Sequence, residues 1–240
     1  MRFSRRRVGA IFAKELREFR HNGNIVSAMA IVPLVFLVQP VIQIFTLSSA
    51  ASGPLRHEHS LLYMLAIPVL VPATLASYSV VGERLQGTLE PVLSTPISRE
   101  ELLLGKALAA FVPSVAVAYG VFAVFVALVE VFAHAGVASA LVRGPDLVAQ
   151  LAFTPLLAIW SIWVGIAVSA RSSDPRTAGQ LALLASLPTV AVTVLIAFNV
   201  IPATLHVALG LGVVLVVLIR LGARFASALF DRERLITGTN

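Results

Sequence analysis

Six long apolar runs alternate with polar segments along the chain, at approximately 25–47, 61–82, 107–129, 148–170, 179–200 and 203–219. Each comes close to the roughly 20 residues that a helix needs to cross a bilayer. Lipid offers no partner for an unpaired backbone amide, so every run is predicted to be helical. The pattern predicts an all-α polytopic membrane protein with six transmembrane helices. Only Ile201 and Pro202 separate the last two runs. A tight hairpin with one end re-entering the membrane is the alternative there.

The segment before the first run has a different period. Val8, Ile11, Phe12, Leu16 and Phe19 recur at helical spacing, with Lys14, Arg17 and Arg20 elsewhere around the wheel. This predicts an amphipathic helix lying on the membrane surface. Glu15 projects among the apolar side chains. A carboxylate there is costly unless paired, so it is expected to meet a basic residue from a loop or a partner chain.

The polar stretch between the second and third runs, GERLQGTLEPVLSTPISREELLLGK at 82–106, is dense in punctuation. Helix from the second run is expected to continue through Glu83 and Arg84 and to stop at Gly87. Thr88 is a suitable N-cap, with Pro91 tolerated in the first turn. Leu89, Val92 and Leu93 then form the apolar face of a short helix, which Thr95 and Pro96 end. Ser98 with Glu101 reads as a capping box opening a helix that runs through LLLGK into the third span. An apolar face on so short a helix must be covered, either by the chain's own spans or by a groove in a soluble partner.

Charge supplies the orientation. Of the 18 Lys and Arg residues, seven precede the first span, while Arg84, Arg99 and Lys106 lie in the second loop, Arg171 and Arg176 in the fourth, and Arg220, Arg224, Arg232 and Arg234 beyond the sixth span. Only Arg56 and Arg143 fall on the opposite side. The positive-inside rule therefore predicts cytoplasmic termini and a cytoplasmic 83–106 loop, in a multi-pass protein of the plasma membrane. The organisation expected is a basic amphipathic helix at 1–24, a six-span domain at 25–222 and a cytoplasmic tail at 223–240. A signal peptide ending near the small residues at 48–52 is the rival reading of the first run. That run exceeds the usual signal core of about 7–15 residues, which favours an uncleaved anchor.

Composition agrees with the class: 58% of residues are hydrophobic, 12% are charged, and the mean hydropathy is +0.91. The absence of cysteine excludes disulfides, thiolate metal sites and cysteine nucleophiles. The net charge of +6 is explained by topology and does not call for nucleic acid. Gly105-Lys106 lacks both the preceding glycine turn and the following Ser or Thr of a phosphate-binding loop, so no nucleotide site is expected here. An intramembrane enzyme would need clustered Ser and His, paired Asp or metal ligands at depth. His57 and His59 lack the HExxH spacing and are expected in a solvated loop.

The 82–106 stretch resembles the cytoplasmic loop of ABC-2 type transporter permeases, in which an acidic-basic pair, Gly-Thr-Leu-Glu, Thr-Pro and Gly-Lys occur in this order. KELREFRHN at 14–22 is similar to that family's connecting helix. The resemblance implies a half-transporter whose energy comes from separate ABC ATPase subunits, which carry the ATP and Mg while this chain binds no cofactor. It also implies a complex of two permeases, homo- or heterodimeric, and two ATPases. The helix near 88–94 becomes the coupling helix. Leu89, Val92 and Leu93 would fill a groove of the ATPase, Glu83, Arg84 and Glu90 would set its register, and Gly87 and Thr88 would shape the turn. Lys14, Glu15 and Arg17 belong to the connecting helix. Extracellular re-entrant helices, common in the family, are placed in doubt by the short connection after the fifth span.

Substrate-pathway candidates are the polar groups within the spans: Gln39, Gln43, Ser77, Ser79, Thr154, Ser161, Thr189 and Thr193. Such groups more often bond between helices than bind cargo. Trp160 and Trp163 are expected to pack, and Glu130 and His134 to sit at the outer interface. No span carries a central charge, which disfavours a proton-coupled pump and suits an apolar or amphipathic cargo, with export the expected direction. A membrane scaffold or sensor that recruits a soluble partner without transport would share these features and remains the alternative function.

Overall fold

The computed structural model describes residues 3–46, 59–85, 87 and 97–229. Among these there are helices and no strands: α1 (Arg5–His21), α2 (Gly23–Thr46), a 3-10 helix (Ser60–Ala66) leading into α3 (Ile67–Ser77), α4 (Val81–Leu85), α5 (Arg99–Phe132), α6 (Ala135–Leu141), α7 (Gly144–Arg171), α8 (Pro175–Ala197) and α9 (Leu205–Leu229). Six stretches are long and apolar enough to cross a membrane: α2, the 60–85 assembly, α5, α7, α8 and α9. They are spans 1 to 6.

Span 2 is the axis of the bundle and is almost wholly enclosed, whereas spans 1 and 6 turn most of their surface outward. Its closest neighbour is span 4. A Cβ on Gly165 would lie 2.7 Å from Ala76 Cβ and 2.8 Å from the Ala73 carbonyl, so only glycine permits this approach. Small residues let helix backbones close up where lipid supplies no hydrophobic drive.

Span 2 is broken at Tyr78–Val80. Ser77 and Ser79 donate their hydroxyls back to the Thr74 and Ala76 carbonyls, a local bonding that competes with regular helix. The freed Val80 and Val81 amides both donate to Ser169 Oγ of span 4, each at 3.1 Å. Helix resumes as α4 and ends at Leu85, and Gly87 adopts φ +66, the left-handed stop expected of it. The coupling-helix positions Thr88, Leu89, Glu90, Val92 and Leu93 lie outside the described residues, as does His57.

The capping box is present: Ser98 Oγ accepts from the Glu101 amide, and the Glu101 carboxylate accepts from the Ser98 amide. From it α5 runs unbroken into span 3, as the spacing predicts. Span 5 is also capped, with Asp174 accepting from the Thr177 amide at 2.9 Å. That amide holds the Asp174 carboxyl below its usual range.

Spans 5 and 6 are separate helices, as the run pattern predicts, joined by residues 198–204, where Asn199 turns with φ 55 and the Val200 and Ile201 amides both donate to the Leu195 carbonyl. Several expectations are corrected. Span 6 does not end near 219 but continues to Leu229. Arg220 and Arg224 are carried on its exposed surface, where long stems reach the interface. The apolar stripe of α1 does not face lipid throughout, because Val8, Ile11 and Phe19 are buried and the helix packs on α5. Finally, α6, which lies between spans 3 and 4 in the chain, was not foreseen, and it buries Val137, Ala140 and Leu141 in the main apolar core.

His59 is likewise not a solvated loop residue. Its Nδ1 donates to Asp146 Oδ1 at 2.7 Å, and its amide donates to the Ala197 carbonyl. Arg143 Nε reaches Asp146 Oδ2 at 3.1 Å. This cluster ties the starts of spans 2 and 4 to the end of span 5.

Candidate functional site

At the opposite end of the bundle α1, the broken end of span 2 and the start of span 3 converge on a four-charge cluster, three of whose members, Glu15, Glu83 and Lys106, are buried. Lys106 is 1% exposed. Its Nζ donates to Glu15 Oε1 at 2.7 Å and to the Ser79 carbonyl at 2.6 Å, and it lies 2.9 Å from Glu83 Oε2. The helix break explains the middle contact, since it frees the Ser79 carbonyl to accept from Lys106. Lys14 Nζ donates to Glu83 Oε1 and lies 3.6 Å from Glu15 and 3.3 Å from Glu18. Lys106, Glu15 and Glu83 are thereby neutralised inside the protein, with the half-buried Lys14 closing the cluster at its rim. Buried charges are tolerated when paired and hydrogen-bonded in this way.

Glu15 is thus paired with a basic residue, as its position demands. The partner is Lys106, 91 residues away. Burial pushes the Glu15 carboxyl upward, opposed by the charge of Lys106. Burial disfavours the Lys14 cation, but the hydrogen bond to Glu83 together with the charges of Glu83, Glu15 and Glu18 outweighs it and raises Lys14 to about 12.

A second tie lies one helical turn away. Arg7 grips Glu101 in a bidentate pair, with Nε to Oε2 at 2.8 Å and Nη2 to Oε1 at 2.7 Å. The Ser4 amide adds a third donor at 2.6 Å. The same carboxylate therefore closes the capping box of α5 and anchors the start of α1. The hydrogen bond to Glu101 also raises the Arg7 guanidinium above its ordinary value.

Gly105 makes the approach of the two helices physical. A Cβ there would lie 2.6 Å from Ile11 Cγ2 and 2.7 Å from Ile11 Cβ. The Gly-Lys pair thus has two structural roles: Gly105 admits α1, and Lys106 holds it.

The other ends gather here too. Arg84 donates to the Ala170 and Ser172 carbonyls at 3.1 and 3.0 Å, capping span 4. Arg99 donates to the Ser227 carbonyl of span 6 at 3.1 Å, and the Arg171 guanidinium stacks 5.1 Å from the Phe225 ring centroid. Hence α1, both ends of the 86–98 loop, the end of span 4 and the end of span 6 share one pole, the pole of most of the basic residues. Arg17 is exposed on α1.

A family model described as an ABC-2 family transporter protein matches residues 9–218. The chain belongs to the ABC-2 transporter family. No curated protein matches it. The match reaches into all six spans and takes in Lys14, Glu15, Glu83 and Lys106, so this ABC-2 chain is a multi-pass membrane subunit of an ABC transporter. Membership implies partnership with ABC ATPase subunits.

The polar positions within the spans of this ABC-2 permease divide into two groups. Ser77 and Thr193 donate to carbonyls of their own helices, and Thr189 accepts from Trp160 Nε1 of span 4 at 3.2 Å. Gln43, Thr154 and Ser161 hold buried oxygens with no hydrogen-bond partner among the described residues, as do Ser114 and Gln150. The Gln39 side chain lies outside the described set. By helical spacing, Gln150, Thr154 and Ser161 share the face of span 4 that carries Gly165 and meets span 2. Sequence reasoning missed Gln150 and Ser114. The signal for Gln150 was available, since it stands four residues before Thr154 on the same stripe.

Proposed function

We propose that this chain is the permease of an exporter for an apolar or amphipathic substrate. A separate ABC ATPase would dock on the 86–98 loop, and both termini would be cytoplasmic. The observation that carries the reading is the Glu15-Lys106-Glu83-Lys14 cluster. It joins α1 to the two helices that enter and leave the loop, so a push on the loop moves α1 and spans 2 and 3 together instead of bending the loop alone. Two copies of this permease with two ATPases would complete the transporter. ATP and Mg would reside on the partner.

Within this reading Leu89, Val92 and Leu93 fill the ATPase groove and Glu90 sets register. Glu83 and Arg84 act from inside, anchoring the loop to spans 3 and 4. Gly87 turns the chain between them, and Thr88 opens the docking helix. Gln43, Thr154 and Ser161, with unsatisfied oxygens, are the pathway positions that the packing supports best. With Ser77, Thr189 and Thr193 they would line a route that is closed in this arrangement, where spans 2 and 4 are in contact. Gln39 stands one turn from Gln43 on span 1.

Leu93→Asp tests the docking. A carboxylate pressed into an apolar groove costs about 3 kcal/mol or more, roughly a hundredfold in affinity. Co-purification of the ATPase and stimulation of its activity by the permease are expected to be lost, while the thermal midpoint of the isolated permease stays at the wild-type value. Retention of both co-purification and stimulation refutes the docking assignment.

A further inference from the structure

Beside the charged cluster, α1 and α5 leave an open groove of about 470 Å³, lined by Phe3, Arg5, Val8, Gly9, Phe12, Leu104, Leu108 and Val112. Leu104, Leu108 and Val112 recur every fourth residue along span 3, so the floor of the groove runs about 12 Å along that helix. Arg5 is the only charged residue in the lining, and it stands at the interfacial end, on the first turn of α1.

The charge at that turn is anomalous. Arg5, Arg6 and Arg7 occupy the first turn of a helix whose N-terminal dipole disfavours cations; α1 has no acidic residue of its own there, and the carboxylate found at that end, Glu101, comes from α5. Arg7 is neutralised by Glu101. Among the described residues, Arg5 and Arg6 are exposed and meet no acidic side chain. An apolar trough with the Arg5 guanidinium at its head, and Arg6 next to it on the same turn, is complementary to a molecule with a hydrocarbon tail and an anionic phosphate.

We propose that this groove is a binding site for one anionic phospholipid of the adjoining leaflet. One acyl chain lies along Phe12, Leu108 and Val112, and the phosphate sits at Arg5 and Arg6. The site follows from the membrane placement of span 3 and does not depend on ATPase docking, so the two assignments fail separately.

Native mass spectrometry of the full chain released from detergent tests it. The titrants are phosphatidylglycerol, phosphatidylcholine with the same acyl chains, and glycerol phosphate. Phosphatidylglycerol is expected to be retained at least fivefold more strongly than phosphatidylcholine, and glycerol phosphate not at all. A basic residue at a membrane surface contributes roughly a fivefold factor, so Arg5→Gln with Arg6→Gln should weaken retention by about 25-fold. Both changes favour α1 by removing cations from its first turn, so the loss cannot come from unfolding.

Gly9→Leu gives an independent reading. A Cβ at Gly9 meets nothing within 4 Å, so the new side chain enters the groove without clash. Leucine is also the better helix former. The variant should show a thermal midpoint equal to or above wild type and at least a fivefold loss of bound phosphatidylglycerol. The proposal is overturned if Gly9→Leu retains the lipid at the wild-type level, if phosphatidylcholine is retained equally, or if glycerol phosphate binds as well as the lipid.

Discussion

Replacing Lys106 with methionine is expected to lower the thermal midpoint of the purified permease by roughly 6–20 °C. Lys106 is enclosed, and its ammonium faces Glu15, Glu83 and the Ser79 carbonyl. Methionine fills similar space but removes the charge, leaving Lys14 as the one cation among the described residues for two buried carboxylates. Removing one partner of a buried ion pair costs about 3–5 kcal/mol. A chain of this length loses about 2–4 °C per kcal/mol.

The source of the loss can be separated from simple loss of packing. Glu15→Gln on the Lys106→Met background restores neutrality, because Glu83 still has Lys14. The double variant should recover at least half of the lost midpoint. A double variant no better than the single would place the cost elsewhere. The single variant should also respond to pH. Burial raises the Glu15 carboxyl in the folded state, and without Lys106 that rise is no longer opposed. A carboxyl whose pKa is higher folded than unfolded binds more protons in the folded state, so stability falls as pH rises above the unfolded value of about 4.3. Lys106→Met should therefore lie closer to wild type at pH 5 than at pH 8, as read by thermal unfolding.

The cluster also shows where the sequence stops speaking. Local rules reached far: the six spans follow from run length, the start of α5 from Ser98 and Glu101, the stop at Gly87 from its freedom at positive φ, and the need of Glu15 for a base from its place in an apolar stripe. The identity of that base did not follow. Lys106 reads as a loop charge at the entrance to span 3, and only the break at Tyr78–Val80 brings the Ser79 carbonyl and Glu83 around it. That break has no sequence signature as strong as a proline, because it depends on Ser169 of span 4 accepting two amides.

The misread elements fail for the same reason. His59 resembles any polar loop residue until Asp146 is seen 2.7 Å from it. Span 6 outlasts its apolar run because Ser227 and Phe225 find Arg99 and Arg171 from other loops. In each case a long-range partner decided what periodicity alone could not.

Gly105→Leu is expected to detach α1 from span 3, and Gly120→Leu, on the same helix, is expected to do the reverse. At Gly105 the first added carbon already overlaps Ile11 at 2.6 Å, and the Val8 carbonyl stands at 3.3 Å, so the backbone of α1 must move. Overpacking of this kind typically costs about 1–3 kcal/mol, and more when backbone shifts. The displacement also strains the neighbouring Lys106 contacts to Glu15, which adds to the loss. At Gly120 nothing lies within 4 Å, so leucine gains helix propensity, up to about 1 kcal/mol, with no clash. The midpoints should move in opposite directions. Limited trypsin digestion should show faster cleavage at Lys14 and Arg17 only in the Gly105 variant, since its α1 is no longer held. Under the coupling proposal that variant should still bind the ATPase through the 88–93 segment while losing ATP-driven transport. Equal midpoint shifts for the two variants, or unchanged trypsin cleavage in Gly105→Leu, would show that α1 is held by something other than its contact with Gly105.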